Sequence, residues 1–201
     1  AIVRYAYPAD KMHICASDVL PLVDKDTSFV CINAVSNVTG AKNDFEEIGS
    51  TLRKLGVPLI VDGAQAGGHI PIDMKSPGIN CLCLAGHKGL GATQGAGVLL
   101  FDESVEPTPL LFGGSGTESF ESVPSSYPEK LEAGTLNLLA IKGLKQAIID
   151  LSANFCQKRK KIYALTESLI KELESFREIK LFSRPNEFGI VSFLHENAPS
   201  E

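Results

Sequence analysis

The sequence predicts an α/β fold: a mostly parallel sheet with helices on both faces, followed by the start of a small α+β unit. Continuous apolar runs of strand length recur along the first half of the chain, and such runs are typical of buried parallel strands. A helical pattern separates two of these runs, as a βαβ unit requires. A long helical pattern and two short strand-like runs follow, which indicates a second unit.

The apolar runs predict four strands in the main sheet. They cover residues 27–35, 57–61, 79–84 and 96–101. Residues 2–6 could add a short strand, and residues 16–22 are expected to form a short helix with Ser17 or Asp18 near its start. The cluster of turn-forming residues at 36–40 ends the first strand.

The clearest helical pattern begins after Asp44, a residue type that caps helices. Acidic residues in the first turn favour the positive end of the helix dipole, and Gly56 ends the helix. The apolar stripe has the 3.6-residue spacing of a half-buried helix and consists of Phe45, Ile48, Leu52 and Leu55.

The second half of the chain begins with residues 103–135, an irregular stretch whose length indicates a functional or interface role. Residues 136–176 are helical in pattern, with Gly143 as a possible kink, and residues 179–182 and 189–195 follow as short strands. We therefore expect two domains, at residues 1–150 (large α/β) and 151–201 (the start of a small α+β domain).

Composition excludes some functional classes. The net charge is −5 and no dense basic patch exists, which argues against nucleic-acid or anionic-membrane partners. The basic run at residues 158–161 lies in a helical stretch and is expected to be a solvated helix face. No apolar run has the ~20 residues of a membrane span. Five cysteines without framework spacing favour a reduced, cytoplasmic location, with an organelle not excluded.

Polar residues follow three of the predicted strands. Asn37 comes after the first, Asp62 and Gln65 after the second, and His87 and Lys88 after the third. Ligands gather at the carboxyl ends of parallel strands, so these residues are expected to share one cleft. An amine there can form a Schiff base with an aldehyde cofactor, and a carboxylate at the end of a buried strand needs a cationic partner.

Other candidate groups have plainer interpretations. The glycine-rich loop after Lys88 matches no phosphate-binding fingerprint, so close backbone packing is the better interpretation. Cys81 and Cys83 are expected to point to opposite faces of their strand and to be small buried hydrophobic residues, so no metal site is predicted. His13 and His69 have no ligand-like neighbours in sequence.

Six short stretches together resemble the class V aminotransferase family, the fold type I enzymes that use pyridoxal phosphate (PLP). More narrowly, they are similar to its cysteine desulfurase and selenocysteine lyase branch. The resemblance covers roughly residues 25–195. The matching stretches are VSNVTG at 35–40, VDGAQAGGHIPID at 61–73, GHKGLG at 86–91, QGAG at 94–97, FGGSGT at 112–117 and LEAGTLN at 131–137.

The resemblance implies the large domain of the PLP-dependent transferase fold and roles for six residues. Lys88 would hold PLP through a Schiff base and later move protons at the substrate α-carbon, and Asp62 would keep the pyridine nitrogen protonated. The others would bind the cofactor: Asn37 and Gln65 at the ring hydroxyl, His87 at the phosphate, and Thr135 at the phosphate of a neighbouring subunit.

The implied reaction removes sulfur from L-cysteine, or selenium from selenocysteine, leaving alanine and an enzyme-bound persulfide. Its implied partners are a small amino-acid substrate, a second copy in a homodimer and a sulfur-acceptor protein. Another class V aminotransferase or lyase, or a non-catalytic homologue, stays open as an alternative.

Two departures from the family pattern bear on the alternatives. Ala85 stands where the family has a phosphate-binding Ser or Thr. None of the five cysteines matches the persulfide position, and neither Arg177 nor Arg184 matches the arginine that binds the substrate carboxylate. The chain therefore resembles the middle of an enzyme about twice its length.

Overall fold

The computed structural model describes residues 2–9, 12–114 and 124–198. Its main sheet has four strands in chain order. The first three run parallel and the fourth is antiparallel to the third. The strands are β1 (Val30–Asn33), β2 (Leu59–Asp62), β3 (Cys81–Ala85) and β4 (Gly97–Phe101). The predicted mostly parallel sheet of four strands is confirmed, and the structure adds that the edge strand β4 runs antiparallel to β3.

Among the residues described, three α-helices accompany the sheet: α1 (Ala16–Val19), α2 (Phe45–Leu55) and α3 (Leu138–Leu173). Short 3-10 helices occupy Leu20–Leu22 and Glu129–Leu131. A second, antiparallel sheet pairs β5 (Ile179–Leu181) with β6 (Phe193–His195). Within the described ranges, no helix is both long and apolar enough to cross a membrane.

The core lies between α2 and one face of the main sheet. The apolar stripe of α2 is fully buried except for Leu55, which is exposed at the end of the helix. Gly56 ends α2 in the left-handed conformation, with φ of 70°, as expected. The stripe packs with the side chains of the buried sheet face, namely Ile32, Leu59, Val61 and Leu82.

The opposite sheet face carries the polar residues. Cross-strand pairing aligns Asn33 with Asp62 and Asp62 with Cys83, and all three side chains are exposed. Cys81 lies on the same face, because side chains two residues apart in a strand point the same way. The expectation that Cys81 and Cys83 face opposite sides is therefore wrong, and only Cys81 is buried.

Several predicted bounds change in the structure. Residues 2–6 form no strand, and their apolar side chains, such as Ile2 at 90% exposure, have no sheet to join. Gly143 does not interrupt α3, which is one helix. The predicted domain division at residue 151 falls inside α3 and stays a prediction.

Candidate functional site

The candidate site begins at the carboxyl end of β2. Asp62 is the last residue of that strand and accepts a hydrogen bond from the Ala64 N–H at 2.9 Å. Among the described residues, no cationic side chain forms an ion pair with the Asp62 carboxylate. An exposed anion at a strand end, with only a local donor, is suited to a cationic group on a ligand.

Lys88 lies in a tight turn directly after β3. The Gly91 N–H donates to the Lys88 carbonyl at 2.9 Å, and the Ala92 N–H donates to the Gly86 carbonyl at 2.9 Å. The backbone of the turn is therefore fixed, while the side chains of His87 and Lys88 are exposed. This arrangement presents an amine and an imidazole on a rigid support.

Two glycines bring the turn after β2 against the turn after β3. A Cβ at Gly68 would lie 2.2 Å from the Gly89 carbonyl oxygen, and a Cβ at Gly89 would lie 2.3 Å from the Gly67 carbonyl oxygen. Only glycine permits such a close backbone approach. The contact places Gly89, which follows Lys88, beside the segment that carries Asp62 and Gln65. This agrees with the expectation that the loop glycines serve close packing.

The remaining candidate residues lie on three separate segments of the chain. Asn37 is exposed in the turn after β1, and Gln65 is half-buried in the turn after β2. Thr135 is exposed two residues before Asn137, whose side chain caps α3 by accepting from the Ala140 N–H at 3.1 Å. Part of the 112–117 stretch lies outside the described residues.

Sequence reasoning missed a group of four residues behind the Lys88 turn, here named the His69 cluster: His69, Gly89, Lys158 and Glu187. His69 Nδ1 lies 3.0 Å from the Glu187 carbonyl oxygen, and Lys158 Nζ donates to the Gly89 carbonyl oxygen at 2.8 Å. The basic run at 158–161 is therefore not purely a solvated face: Lys158 and Arg159 are both half-buried and make tertiary contacts.

The structure favours the neutral form of His69. Burial lowers the pKa of His69 below its ordinary value of 6.5, and the charge of Lys158 lowers it further, while the hydrogen bond to the Glu187 carbonyl opposes the shift. The folded protein therefore binds a proton here less readily than the unfolded chain does.

The stability contributed by neutral His69 is expected to be complete above pH 6.5 and to be lost as the pH falls through the lowered pKa. His69→Asn can still donate a hydrogen bond to the Glu187 carbonyl but does not titrate. Urea denaturation would be repeated at pH values that cover about two to three pH units below 7.5. As the pH falls, the free energy of unfolding of the wild type should decrease relative to that of the variant. Parallel curves for the two proteins would contradict the assignment.

Three cysteines share the sheet face of Asp62. The surrounding chain partly desolvates the thiols of Cys31, Cys81 and Cys83, which raises their pKa, and the Asp62 carboxylate raises it further at Cys31 and Cys83. A raised pKa leaves less of the reactive thiolate at neutral pH. None of these three thiols is therefore prepared as a nucleophile.

Two described cavities border the loop between β5 and β6. One, of about 320 Å³, is lined by Thr39, Arg184 and Phe188 among others, and another, of about 330 Å³, is lined by Cys156, Tyr163 and Glu187 among others. Neither is lined by Asp62 or Lys88.

The chain matches the family model described as aminotransferase class-V across residues 1–201. It belongs to the class V aminotransferase family. A probable cysteine desulfurase of Methanothermobacter thermautotrophicus is 32% identical to this family member over 182 residues, which are 87% of this chain and 46% of the relative. A cysteine desulfurase of Escherichia coli is 33% identical over 189 residues, 88% of this chain and 45% of the relative.

Solved structures agree with this assignment. The class V chain superimposes on the cysteine desulfurase CsdA of Escherichia coli with a TM-score of 0.79 and 25% identity, covering 92% of this chain and 47% of that one. An apo cysteine desulfurase of Thermococcus onnurineus gives a TM-score of 0.79 with 26% identity, covering 97% and 50%. The chain thus spans about half the length of the relatives it matches.

Proposed function

We propose that this chain forms the PLP-binding part of a cysteine desulfurase-like lyase. The observation that carries the proposal is the Gly68–Gly89 contact, which brings the turn after Asp62 against the turn that carries the Lys88 amine. Within the part of the chain that the structure describes, the Asp62 carboxylate has no cationic partner. The donor set fits PLP, because Asp62 offers an anion to the pyridine nitrogen and Lys88 offers an amine to the aldehyde. The similarity to proteins named cysteine desulfurase supports the choice of branch.

Each residue of the site has a role in this proposal. Lys88 attaches the cofactor covalently and later holds or moves the proton at the substrate α-carbon. Asp62 keeps the pyridine nitrogen protonated, Gln65 and Asn37 donate to the ring hydroxyl oxygen, and His87 binds the phosphate. When bound, PLP supplies a conjugated ring that withdraws electrons from the α-carbon.

The proposal also requires groups that a single copy of residues 1–201 does not supply to its own site. Thr135 reaches the phosphate of a second copy of the chain, so the active form is a homodimer. Because Ala85 has no hydroxyl group, one phosphate donor has to come from another group. In this proposal the thiolate that takes sulfur from L-cysteine, or selenium from selenocysteine, comes from another segment of the full-length polypeptide, because none of the five cysteines matches the persulfide position of the family.

The covalent attachment is expected to be lost in Lys88→Ala. Full-length wild-type protein and the variant would be incubated with PLP, reduced with borohydride and digested, and the modified lysine located by mass spectrometry. Lys145→Ala, an exposed position on α3, is the matched control and should retain the label. A label that persists elsewhere at wild-type yield in Lys88→Ala would refute the role of Lys88.

The products separate the desulfurase from the other class V reactions. Release of alanine from L-cysteine, with sulfide appearing once an added thiol reductant cleaves the persulfide, supports the proposal, whereas formation of a keto acid supports an aminotransferase or another class V lyase. Absence of both reactions in a full-length protein that carries PLP at Lys88 would support a non-catalytic homologue.

A further inference from the structure

Two neighbouring residues of α3 hold two different segments of the chain. Lys158 Nζ donates to the Gly89 carbonyl at 2.8 Å. Arg159 donates to Glu187 Oε1 through Nη2 at 2.6 Å and through Nε at 3.2 Å. A single turn of α3 thus connects the turn that carries Lys88 with the segment that leads to β6.

The hydrogen bond from Lys158 acts on the peptide group between Gly89 and Leu90, the second peptide group after Lys88. It is charge-assisted and half-buried, and both properties strengthen a hydrogen bond relative to an exposed neutral one. The same turn is closed on its inner side by the Gly91 N–H, which donates to the Lys88 carbonyl. Together the two bonds restrict the backbone on the carboxyl side of Lys88, and so the direction in which its side chain leaves the turn.

His69 occupies the other side of Gly89. A Cβ at Gly89 would lie 2.3 Å from His69 Cδ2, so the ring packs directly on the turn. Because a carbonyl oxygen only accepts, the 3.0 Å contact with the Glu187 carbonyl requires the proton on His69 Nδ1. A second proton would put two cations, His69 and Lys158, around one peptide group. The neutral ring is therefore the form compatible with Lys158 at this carbonyl.

We propose that Lys158 is a positioning residue for Lys88, acting through the Gly89 carbonyl with neutral His69 packed against the same peptide. The inference rests on the proposed function of Lys88 as the cofactor lysine. Lys158 touches neither cofactor nor substrate in this account. It holds the turn on which the reactive amine is mounted.

The test compares cofactor-free full-length proteins by hydrogen exchange. Lys158→Met keeps the aliphatic stem and removes the ammonium group, so the amides of residues 86–92 are expected to exchange about ten-fold faster or more. Lys158→Arg restores a charged donor and should recover most of the protection. Lys161→Met, an exposed neighbour on the same helix, should match the wild type. If Lys158→Met does not fold, Lys158→Leu, which also lacks a donor, carries the same expectation.

A second measurement responds to the charge rather than to stability. Removing the Lys158 charge should raise the pKa of His69 towards its ordinary value, because that charge is one cause of its lowering. The exchange of the imidazole C2 hydrogen, followed by mass spectrometry against pH, reports this pKa in the cofactor-free protein. Lys161→Met should leave the midpoint unchanged.

The link to Lys88 is read from the rate of covalent PLP capture, trapped with borohydride. This rate should fall in Lys158→Met and recover in Lys158→Arg. Unchanged exchange at residues 86–92 in Lys158→Met, or an equal increase in Lys161→Met, overturns the inference. Absence of PLP capture at Lys88 in the wild type instead overturns the proposed function. The wild-type measurement therefore tells the failure of the proposed function from the failure of the role of Lys158.

Discussion

Gly68→Ala is expected to lower the free energy of unfolding by about 3 kcal/mol or more, because overpacking and left-handed backbone strain add at this position. Gly68 has φ of +80°, and an added Cβ would lie within 2.6 Å of three backbone atoms of Gly89 and Leu90. Backbone atoms cannot rotate away as a side chain can. The turn after β2 and the turn after β3 must therefore separate.

Substitutions at two other glycines measure the backbone strain and the overpacking separately. Gly56 has φ of +70°, and a Cβ added there would meet no atom within 4 Å, so Gly56→Ala should cost only the strain of about 1–2 kcal/mol. Gly89→Ala introduces the contact without a left-handed φ and should cost about 1–3 kcal/mol. Denaturant unfolding of the three full-length variants measures these values. A Gly68→Ala cost equal to that of Gly56→Ala would show that the two turns do not touch.

The same variants connect stability with the proposed function. In Gly68→Ala the turn of Asp62 and Gln65 moves away from the turn of Lys88, so PLP should bind more weakly. Gly56→Ala changes only the end of α2 and should bind PLP like the wild type. Equilibrium dialysis with free PLP compares them. Equal affinity in Gly68→Ala and the wild type would mean that the contact between the turns does not set the site.

The elements predicted well are those that local pattern determines. The strands β1 to β3 and helix α2 follow from apolar runs, a periodic stripe and Gly56, each of which depends on neighbours within a few residues. The strand expected at residues 2–6 failed because an apolar run becomes a strand only with a pairing partner, and none is present among the described residues. The antiparallel direction of β4 likewise depends on pairing and not on its own composition.

The site shows the same division. Asp62 and Lys88 follow directly from their positions at strand ends, and the resemblance to class V enzymes supplies their roles. The His69 cluster has no such local signal, because its contacts join residues 69 and 118 positions apart in the chain. One sequence signal pointed towards it. The glycine-rich loop after Lys88 indicated close packing, although not what it packs against.

Asn186→Leu is expected to lower the free energy of unfolding by about 3 kcal/mol or more, since four backbone groups lose a buried partner. Asn186 is 6% exposed. Its Nδ2 donates to the Arg184 and Ile190 carbonyls, both at 2.8 Å. Its Oδ1 accepts from the N–H groups of Phe188 and Ile190 at 3.0 and 3.3 Å. One side chain thus shapes the loop between β5 and β6.

Asn186→Asp removes the hydrogen-bond donor of this side chain and keeps its acceptor. The carboxylate keeps both acceptor roles but faces two carbonyl oxygens, so its pKa should rise in the folded state. A raised pKa gives stability that is complete at low pH and is lost as the pH increases. The deficit relative to the wild type should therefore be smallest in acid and grow towards neutral pH. A deficit that does not change with pH would show that the two carbonyls do not face the side chain.

The loop that Asn186 shapes also supports the candidate site. Glu187 lies next to Asn186, and its carbonyl accepts from His69, which packs on Gly89. Loosening the loop should therefore reach the Lys88 turn and speed hydrogen exchange at residues 86–92. Asn154→Leu, an exposed change on α3, should stay within about 0.5 kcal/mol of the wild type and leave that exchange unaltered. Faster exchange in Asn186→Leu without any change in Asn154→Leu is the result expected of a loop that supports the turn through His69.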